Sequence, residues 1–312
     1  MDLALIAGTS DLPLAEDVAR LLGAPLGNRE LERFPDGECH VRITDSVRGK
    51  DVYLLQSTGP PVEANLFELL LLADACRRSG AARLTAVVPY FGYARQDRRA
   101  AGREPVSARL IADLVCESGF DRIVAVDLHS AALEGFFSIP LEHLTAVALL
   151  AAPLQAWASA SRLVVVAPDL GAAKLADRYA RLLNAPAAIV HKTRLSGREV
   201  AARGVTGDVA GRQAVIVDDM ISTGATIEAA ARALETAGAA SVAAVVATHG
   251  LFVAGAPERL AAAAGARLIV ADTLPRAASV PRLEVVTIAP LLAKAIGGLH
   301  EDRSLAELVG RA

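Results

Sequence analysis

The sequence predicts an α/β fold: two domains of similar size, each a mainly parallel sheet flanked by helices. Two observations predict it. Short apolar runs alternate with segments whose apolar residues recur at helical spacing, from one end of the chain to the other, as parallel strands covered by helices require. At 312 residues the chain has room for two ordinary cores, and no period of about 20 to 50 residues repeats, so it is not a solenoid.

In order, the first half offers strands at Leu3–Ala7, Cys39–Ile43, Val52–Gln56, Leu84–Val88 and Ile123–Val126. The second half offers Leu163–Ala167, Ala187–Val190, Ala214–Val217, Val242–Ala247, Leu268–Ala271 and Val285–Ile288. Asn65–Ser79, Val106–Glu117 and Ile227–Leu234 carry the helical spacing between them. In such sheets the functional loops sit at the carboxyl ends of strands, and His129, Asp169 and Asp218 all fall just past predicted ends. The join between domains is expected near Leu144–Pro153, after the first group of strands and beside an Ala-rich connection.

Composition narrows the function classes. A hydrophobic content of 53% and a net charge of −3 describe a soluble globular protein with no polyanion-binding surface, so nucleic acid is not an expected partner. Met1-Asp2-Leu3 has no basic leader, and Pro153, Gln155 and several serines interrupt the longest apolar stretch, Leu144 to Pro168; neither secretion nor a membrane span is expected. Cys39, Cys76 and Cys116 show no metal-type spacing and read as reduced thiols of a cytoplasmic protein. Of the 32 Lys and Arg residues only Lys50, Lys174, Lys192 and Lys294 are lysines, a scarcity that gives each survivor some weight.

The densest chemistry lies in Val215 to Thr226. A buried-strand run ends in Asp218 and Asp219, turns through Met220-Ile221-Ser222-Thr223-Gly224-Ala225-Thr226, and enters the helical Ile227–Leu234. Free N–H groups and the dipole at a helix start favour a phosphate; Ser222, Thr223 and Thr226 add hydroxyls, and Gly224 permits backbone geometry that a Cβ hinders. The two acids can accept from sugar hydroxyls or hold water around Mg²⁺. Phosphate, diol and metal ligands side by side point to a sugar phosphate. A strand ending in an N-capped helix is the plain structural alternative, and it leaves two adjacent acids unexplained.

Other segments are less specific. No Walker-type phosphate loop occurs. Tyr90 to Arg99 instead packs Arg95, Gln96, Arg98 and Arg99 among aromatics; arginine forks suit triphosphate oxygens, although charge clusters are commonly just solvated turns. Phe34–Glu38 alone reads as a turn between strands. His129 can ligate a divalent ion or orient phosphate, yet a lone histidine after a strand is as often structural. Asp169 can bind a metal or cap the helix beginning near Gly171. Lys192 and Arg194, two apart in an extended segment, can face a polyphosphate together or be ordinary solvated charges, with Ser196–Arg198 and Ala201–Gly207 as a mobile flap beyond them.

Taken in order, Phe34-Pro35-Asp36-Gly37-Glu38, Pro89 to Arg99, Arg103-Glu104-Pro105, Val126-Asp127-Leu128-His129-Ser130, Glu134-Gly135-Phe136-Phe137, Pro168-Asp169, Lys192-Thr193-Arg194, Asp218 to Thr226 and Ala247-Thr248-His249-Gly250 resemble the ribose-phosphate diphosphokinase (PRPP synthetase) family over nearly the whole chain. The resemblance implies two phosphoribosyltransferase-like domains, with 1–146 binding ATP, 147–290 binding ribose phosphate, and the tail 291–312 packing on the first. It implies ATP binding by Arg95, Gln96, Asp97 and His129, and an adenine pocket of Phe34, Asp36 and Glu38 contributed across a contact in a dimer-based homo-oligomer. His129 and Asp169 become metal-linked, with Mg²⁺ as cofactor. Lys192, Arg194 and His129 become catalytic, and Asp218, Asp219, Ser222, Thr223, Gly224, Ala225 and Thr226 hold ribose 5-phosphate. Thr193 replaces an arginine of several members, Ser222 replaces a third acid, and Ala132 and Glu134 replace glutamines. The Lys-Thr-Arg and Ser-Thr-Gly forms are nearer the archaeal-type branch, which implies activity without inorganic phosphate and weak allosteric inhibition by ADP. Two rival readings stand beside this one: a base-using phosphoribosyltransferase, and a catalytically silent homologue.

Overall fold

A computed structural model describes residues 1–158, 162–194, 200–253, 255–261, 265–275, 280 and 282–309, without the side chains of 156, 192–194, 200–203 and 261. It divides into two compact units: Met1–Thr145 with Thr273–Pro275 and the segment from Thr287 onward, and Ala146–Asp272 with the strand that ends at Val286.

The first unit runs β1 (Leu3–Ala7), α1 (Leu12–Leu22), β2 (Arg29–Arg33), β3 (Cys39–Ile43), β4 (Asp51–Leu55), α2 (Val62–Arg78), β5 (Arg83–Val88), α3 (Ser107–Glu117), β6 (Arg122–Val126) and β7 (Leu141–Leu144). Five strands pair in parallel in the order β1-β4-β5-β6-β7. β4 is buried along its whole length, as expected of an apolar run covered on both faces. α1 starts where the Asp11 carboxylate accepts from Leu14 N at 3.2 Å, and stops at Gly23 in the left-handed region, φ 65°. β2 and β3 form a separate antiparallel hairpin.

The second unit holds α4 (Val147–Ala158), β8 (Leu163–Ala167), α5 (Ala173–Leu183), β9 (Ala187–Arg194), β10 (Val200–Thr206), β11 (Gln213–Ile221), α6 (Ala225–Thr236), β12 (Ser241–Gly250), α7 (Ala256–Ala261), β13 (Arg267–Ala271) and β14 (Leu283–Val286); α8 (Ala289–His300) then returns to the first unit. The sheet order is β10-β9-β8-β11-β12-β13-β14, parallel throughout except β10. The stretch read as an Ala-rich connection is α4, which carries Pro153 inside it. Among the described residues no helix is long and apolar enough to cross a membrane.

Chain order sets where a ligand can go. In the second sheet the chain leaves β8 to one side, through β9 and β10, and returns to its other side at β11. In open sheets of this kind ligands bind beyond the carboxyl ends of the strands at such a switch, here β8 and β11. The first sheet advances in one direction only and has no such switch.

Candidate active site

The switch point carries the acids. Asp169 follows β8, and its Oδ1 accepts from Gly171 N at 2.8 Å and Ala172 N at 3.3 Å, so it caps the short helical turn after the strand. Asp218 and Asp219 were expected past a strand ending at Val217. Instead β11 continues through both to Ile221, because its pairing with β12 extends to Ile221 opposite Gly250. The apolar run stops where ligand chemistry begins, while backbone pairing continues. Asp218 accepts from Asp219 N at 2.9 Å. Burial, then the charges of Asp219 and Asp169, push the Asp218 carboxyl well above the usual carboxylate range. Three acids within electrostatic reach form a place that favours a cation or hydroxyl donors.

The loop after β11 turns its carbonyls away from any ligand. Ile221 O accepts from Leu251 N at 2.9 Å and Phe252 N at 3.1 Å, and Ser222 O from Val253 N at 3.0 Å. Gly224 sits at φ 78° as the N-cap of α6, in the left-handed region that suits glycine. Thr223 Oγ1 accepts from Ala225 N at 3.5 Å. Amides and hydroxyls at a helix start, with carbonyls engaged behind them, make an anion cradle.

Lys192, Thr193 and Arg194 end β9, their backbones paired with Ala202, Ala201 and Val200 of β10. The proposed flap is therefore an antiparallel ribbon at its base. Residues 195–199, including Ser196–Arg198, lie outside the described residues, as do the side chains of Lys192 and Arg194.

In the first unit, Phe34 is exposed at the tip of the β2–β3 hairpin, its ring 5.5 Å from His40, and Asp36 accepts from Glu38 N at 3.0 Å. The β5–α3 connection is built tightly. Gly92 approaches so closely that a Cβ would collide with the Thr58 carbonyl, and Gly92 N donates to Thr58 Oγ1 at 2.7 Å. Tyr93, at φ 63°, donates its hydroxyl to Glu63 at 2.7 Å. Gln96 is committed to structure: its Oε1 accepts from Ser107 Oγ at 2.6 Å. Glu104 accepts from Ala100 N and Ala101 N, both at 2.8 Å, and closes the turn that leaves Arg95, Arg98 and Arg99 exposed beside half-buried Asp97.

His129 is exposed three residues past β6. The backbone leading to it is unusual: Asp127 has φ 38°, Asp127 N donates to Leu144 O at 3.0 Å, and Leu128 N donates to His143 Nε2 at 2.8 Å. His143 escaped sequence reasoning, since a histidine inside a short strand carries no motif. So did Arg259, whose Nη1 donates to Thr223 O at 3.1 Å.

Comparison with known proteins decides the family. The chain is 44% identical over 310 residues to the ribose-phosphate pyrophosphokinase of Parasynechococcus marenigrum, covering 98% of this chain and 93% of the relative. The chain belongs to the ribose-phosphate pyrophosphokinase family. The corresponding enzyme of Corynebacterium efficiens is 44% identical over 98% of this chain and 95% of its own length. Residues 3–119 match the N-terminal domain of ribose phosphate pyrophosphokinase, and 194–310 match the phosphoribosyl synthetase-associated domain. Phosphoribosylpyrophosphate synthetase from Mycobacterium smegmatis superposes with a TM-score of 0.90 at 42% identity, over 97% of this chain and all of that one. As a ribose-phosphate pyrophosphokinase fold, the molecule has the α/β phosphoribosyltransferase-like architecture its sequence predicts.

Proposed function

We propose that the chain transfers the β,γ-diphosphoryl group of ATP to the C1 hydroxyl of ribose 5-phosphate, giving 5-phospho-α-D-ribose 1-diphosphate and AMP. The observation that carries this reading is the β8/β11 switch point, where Asp169, Asp218 and Asp219 stand beside the Ser222–Thr226 cradle, in a chain aligned end to end with ribose-phosphate pyrophosphokinases. A base-using phosphoribosyltransferase needs the cradle but has no use for the Phe34 hairpin or the Arg95 loop.

In the reaction the C1 oxygen attacks the β-phosphorus in line and releases its proton to water, while the bond from β-phosphorus to the oxygen of AMP breaks on the opposite side. Asp218 and Asp219 accept from the sugar hydroxyls, and Ser222, Thr223, Gly224, Ala225 and Thr226 bind the 5′-phosphate. Arg95, Gln96 and Asp97 hold ATP, with Phe34, Asp36 and Glu38 about the adenine. Gln96 does so through its remaining amide donors, its carbonyl being engaged by Ser107. Lys192 and Arg194 offset charge on the transferred group and on departing AMP. No covalent nucleophile is needed.

Mg²⁺ suits the donors present. Burial, then Asp219 and Asp169, raise the Asp218 carboxyl, which marks this place as one that favours positive charge. Among the described residues no three His, Cys, Asp or Glu side chains form a ready-made cage. Asp169 would hold Mg²⁺ accompanying the sugar phosphate, and His129 would hold Mg²⁺ accompanying ATP. When bound, the ion neutralises phosphate charge. A dimer-based homo-oligomer and a cytoplasmic location belong to the same proposal, supported by the exposed Phe34 and by three free thiols.

The test is to follow AMP and the sugar diphosphate by mass spectrometry with ATP, Mg²⁺ and ribose 5-phosphate, in a buffer free of inorganic phosphate. AMP formation in step with the sugar product, with no nucleobase present, is the expected result. ADP as product, or a silent purified chain both with and without added phosphate, would sink the reading. A requirement for millimolar phosphate would remove only the expected phosphate independence.

A further inference from the structure

Three consecutive carbonyls leading into and through the start of the cradle, those of Ile221, Ser222 and Thr223, are all engaged, by residues 251–253 and by Arg259. The first two are held by backbone amides. The third is held by a charged side chain, Arg259 of α7, whose Nη1 lies 3.1 Å from Thr223 O. Phe252, at φ 46°, adopts the left-handed backbone that lets successive amides of this segment reach the loop. Arg259 Cβ also lies 3.5 Å from where a Cβ on Gly224 would stand, so its stem abuts the N-cap of α6. Among the described residues the guanidinium pairs with no carboxylate.

A structural brace alone could be an amide, like the two beside it. A guanidinium does more. Its permanent charge adds to the positive end of α6 at the point where a dianionic phosphate would sit, and it withdraws a carbonyl that would otherwise repel phosphate oxygens. Contact with Thr223 O uses one of its five N–H donors.

We infer that Arg259 is a positioning residue for the acceptor's 5′-phosphate: it orients the Ser222–Thr226 cradle and supplies its charge. The inference rests on the sugar-phosphate reading of that loop. It is tested on the full chain with Arg259→Leu, Arg259→Gln and Arg259→Lys, measuring KM separately for ribose 5-phosphate and ATP, with Thr226→Val as a control on the loop. Arg259→Leu should raise KM for ribose 5-phosphate at least about tenfold while KM for ATP stays within about twofold. Arg259→Lys should recover most of the loss and Arg259→Gln less, because charge matters beyond the hydrogen bond. If Thr226→Val raises the sugar-phosphate KM and Arg259→Leu does not, Arg259 has no such role, and the loop assignment stands. If neither variant moves it, the loop assignment itself fails. Equal rises in both KM values for Arg259→Leu, or glutamine rescuing as well as lysine, would reduce Arg259 to a structural brace and overturn the inference.

Discussion

Asp218 holds a carboxylate where its surroundings disfavour one. Burial and the neighbouring Asp219 and Asp169 raise its pKa, so the folded protein binds a proton more tightly than the unfolded chain does. That contribution to stability is full below the ordinary carboxylate range and is lost as pH rises through the raised value. Asp218→Asn should therefore melt above wild type at pH 8 without Mg²⁺, by roughly 2–4 °C per kcal/mol of repulsion relieved, with the gap closing towards about pH 4. The same variant should weaken ribose 5-phosphate use more than ATP binding, which kinetics and calorimetry separate. A lower melting temperature at pH 8, or lost ATP binding with sugar-phosphate use intact, would refute the assignment. Lys192→Ala should cost at least about a hundredfold in turnover, near 3 kcal/mol, with smaller changes in substrate affinity. Near-normal kcat would remove Lys192 from the mechanism. Asp169, Asp218 and the Ser222–Thr226 turn could be proposed from sequence because each lies in a contiguous run from strand to loop to helix. His143 and Arg259 could not, because each reaches its partner across a fold: His143 to Leu128, fifteen residues away, and Arg259 to Thr223, thirty-six away.

Elements were legible where burial dictates sequence. β1 and β8 begin and end where the apolar runs do. β2, Arg-Glu-Leu-Glu-Arg, was missed because its hairpin is largely exposed and its charges leave only Leu31 as a sign of a strand. β10 was read as flap because it is an antiparallel edge strand interrupted by Gly204. β7 was missed as well, and its histidine matters. A histidine Nε2 that accepts from Leu128 N must be unprotonated there, and it fixes the turn that presents His129. His143→Leu removes the acceptor and strands the Leu128 amide. It should raise KM for Mg²⁺–ATP about three- to tenfold while leaving that for ribose 5-phosphate nearly unchanged. His143→Gln, which keeps a carbonyl acceptor, should recover part of the effect. Equal KM shifts for both substrates, or none, would show that β7 merely completes the sheet.

At the scale of the whole molecule, the chain closes on itself by returning α8 to the first unit. The device is a buried network at the amino ends of β4 and β5. Asp51, fully buried, accepts from Arg83 Nε at 2.7 Å and Nη2 at 2.5 Å, from Tyr53 Oη at 3.0 Å, and pairs with His300 Nδ1 at 2.8 Å at the end of α8. Burial pushes the Asp51 carboxyl up, but the hydrogen bonds from Arg83 and His300 prevail and hold it below its ordinary range. The sign is opposite to that of Asp218: this stability is present above the unfolded carboxylate pKa, about 3.9, and is lost as pH falls through the lower folded value. Asp51→Asn leaves the Arg83 cation, only a quarter exposed, with the exposed Asp302 at 3.2 Å as its remaining partner charge, and should cost about 3 kcal/mol. Because the network joins α8 to the sheet, the loss should appear first as faster hydrogen exchange in α8 and then as an earlier urea midpoint. Within the same unit the Arg95 loop and His129 follow the carboxyl ends of β5 and β6, away from the amino ends where Asp51 sits, so KM for ATP should stay within about twofold where the variant is folded. Unchanged exchange in α8 would mean that apolar packing against α1, not this network, holds the tail, and the assigned role of Asp51 would fall.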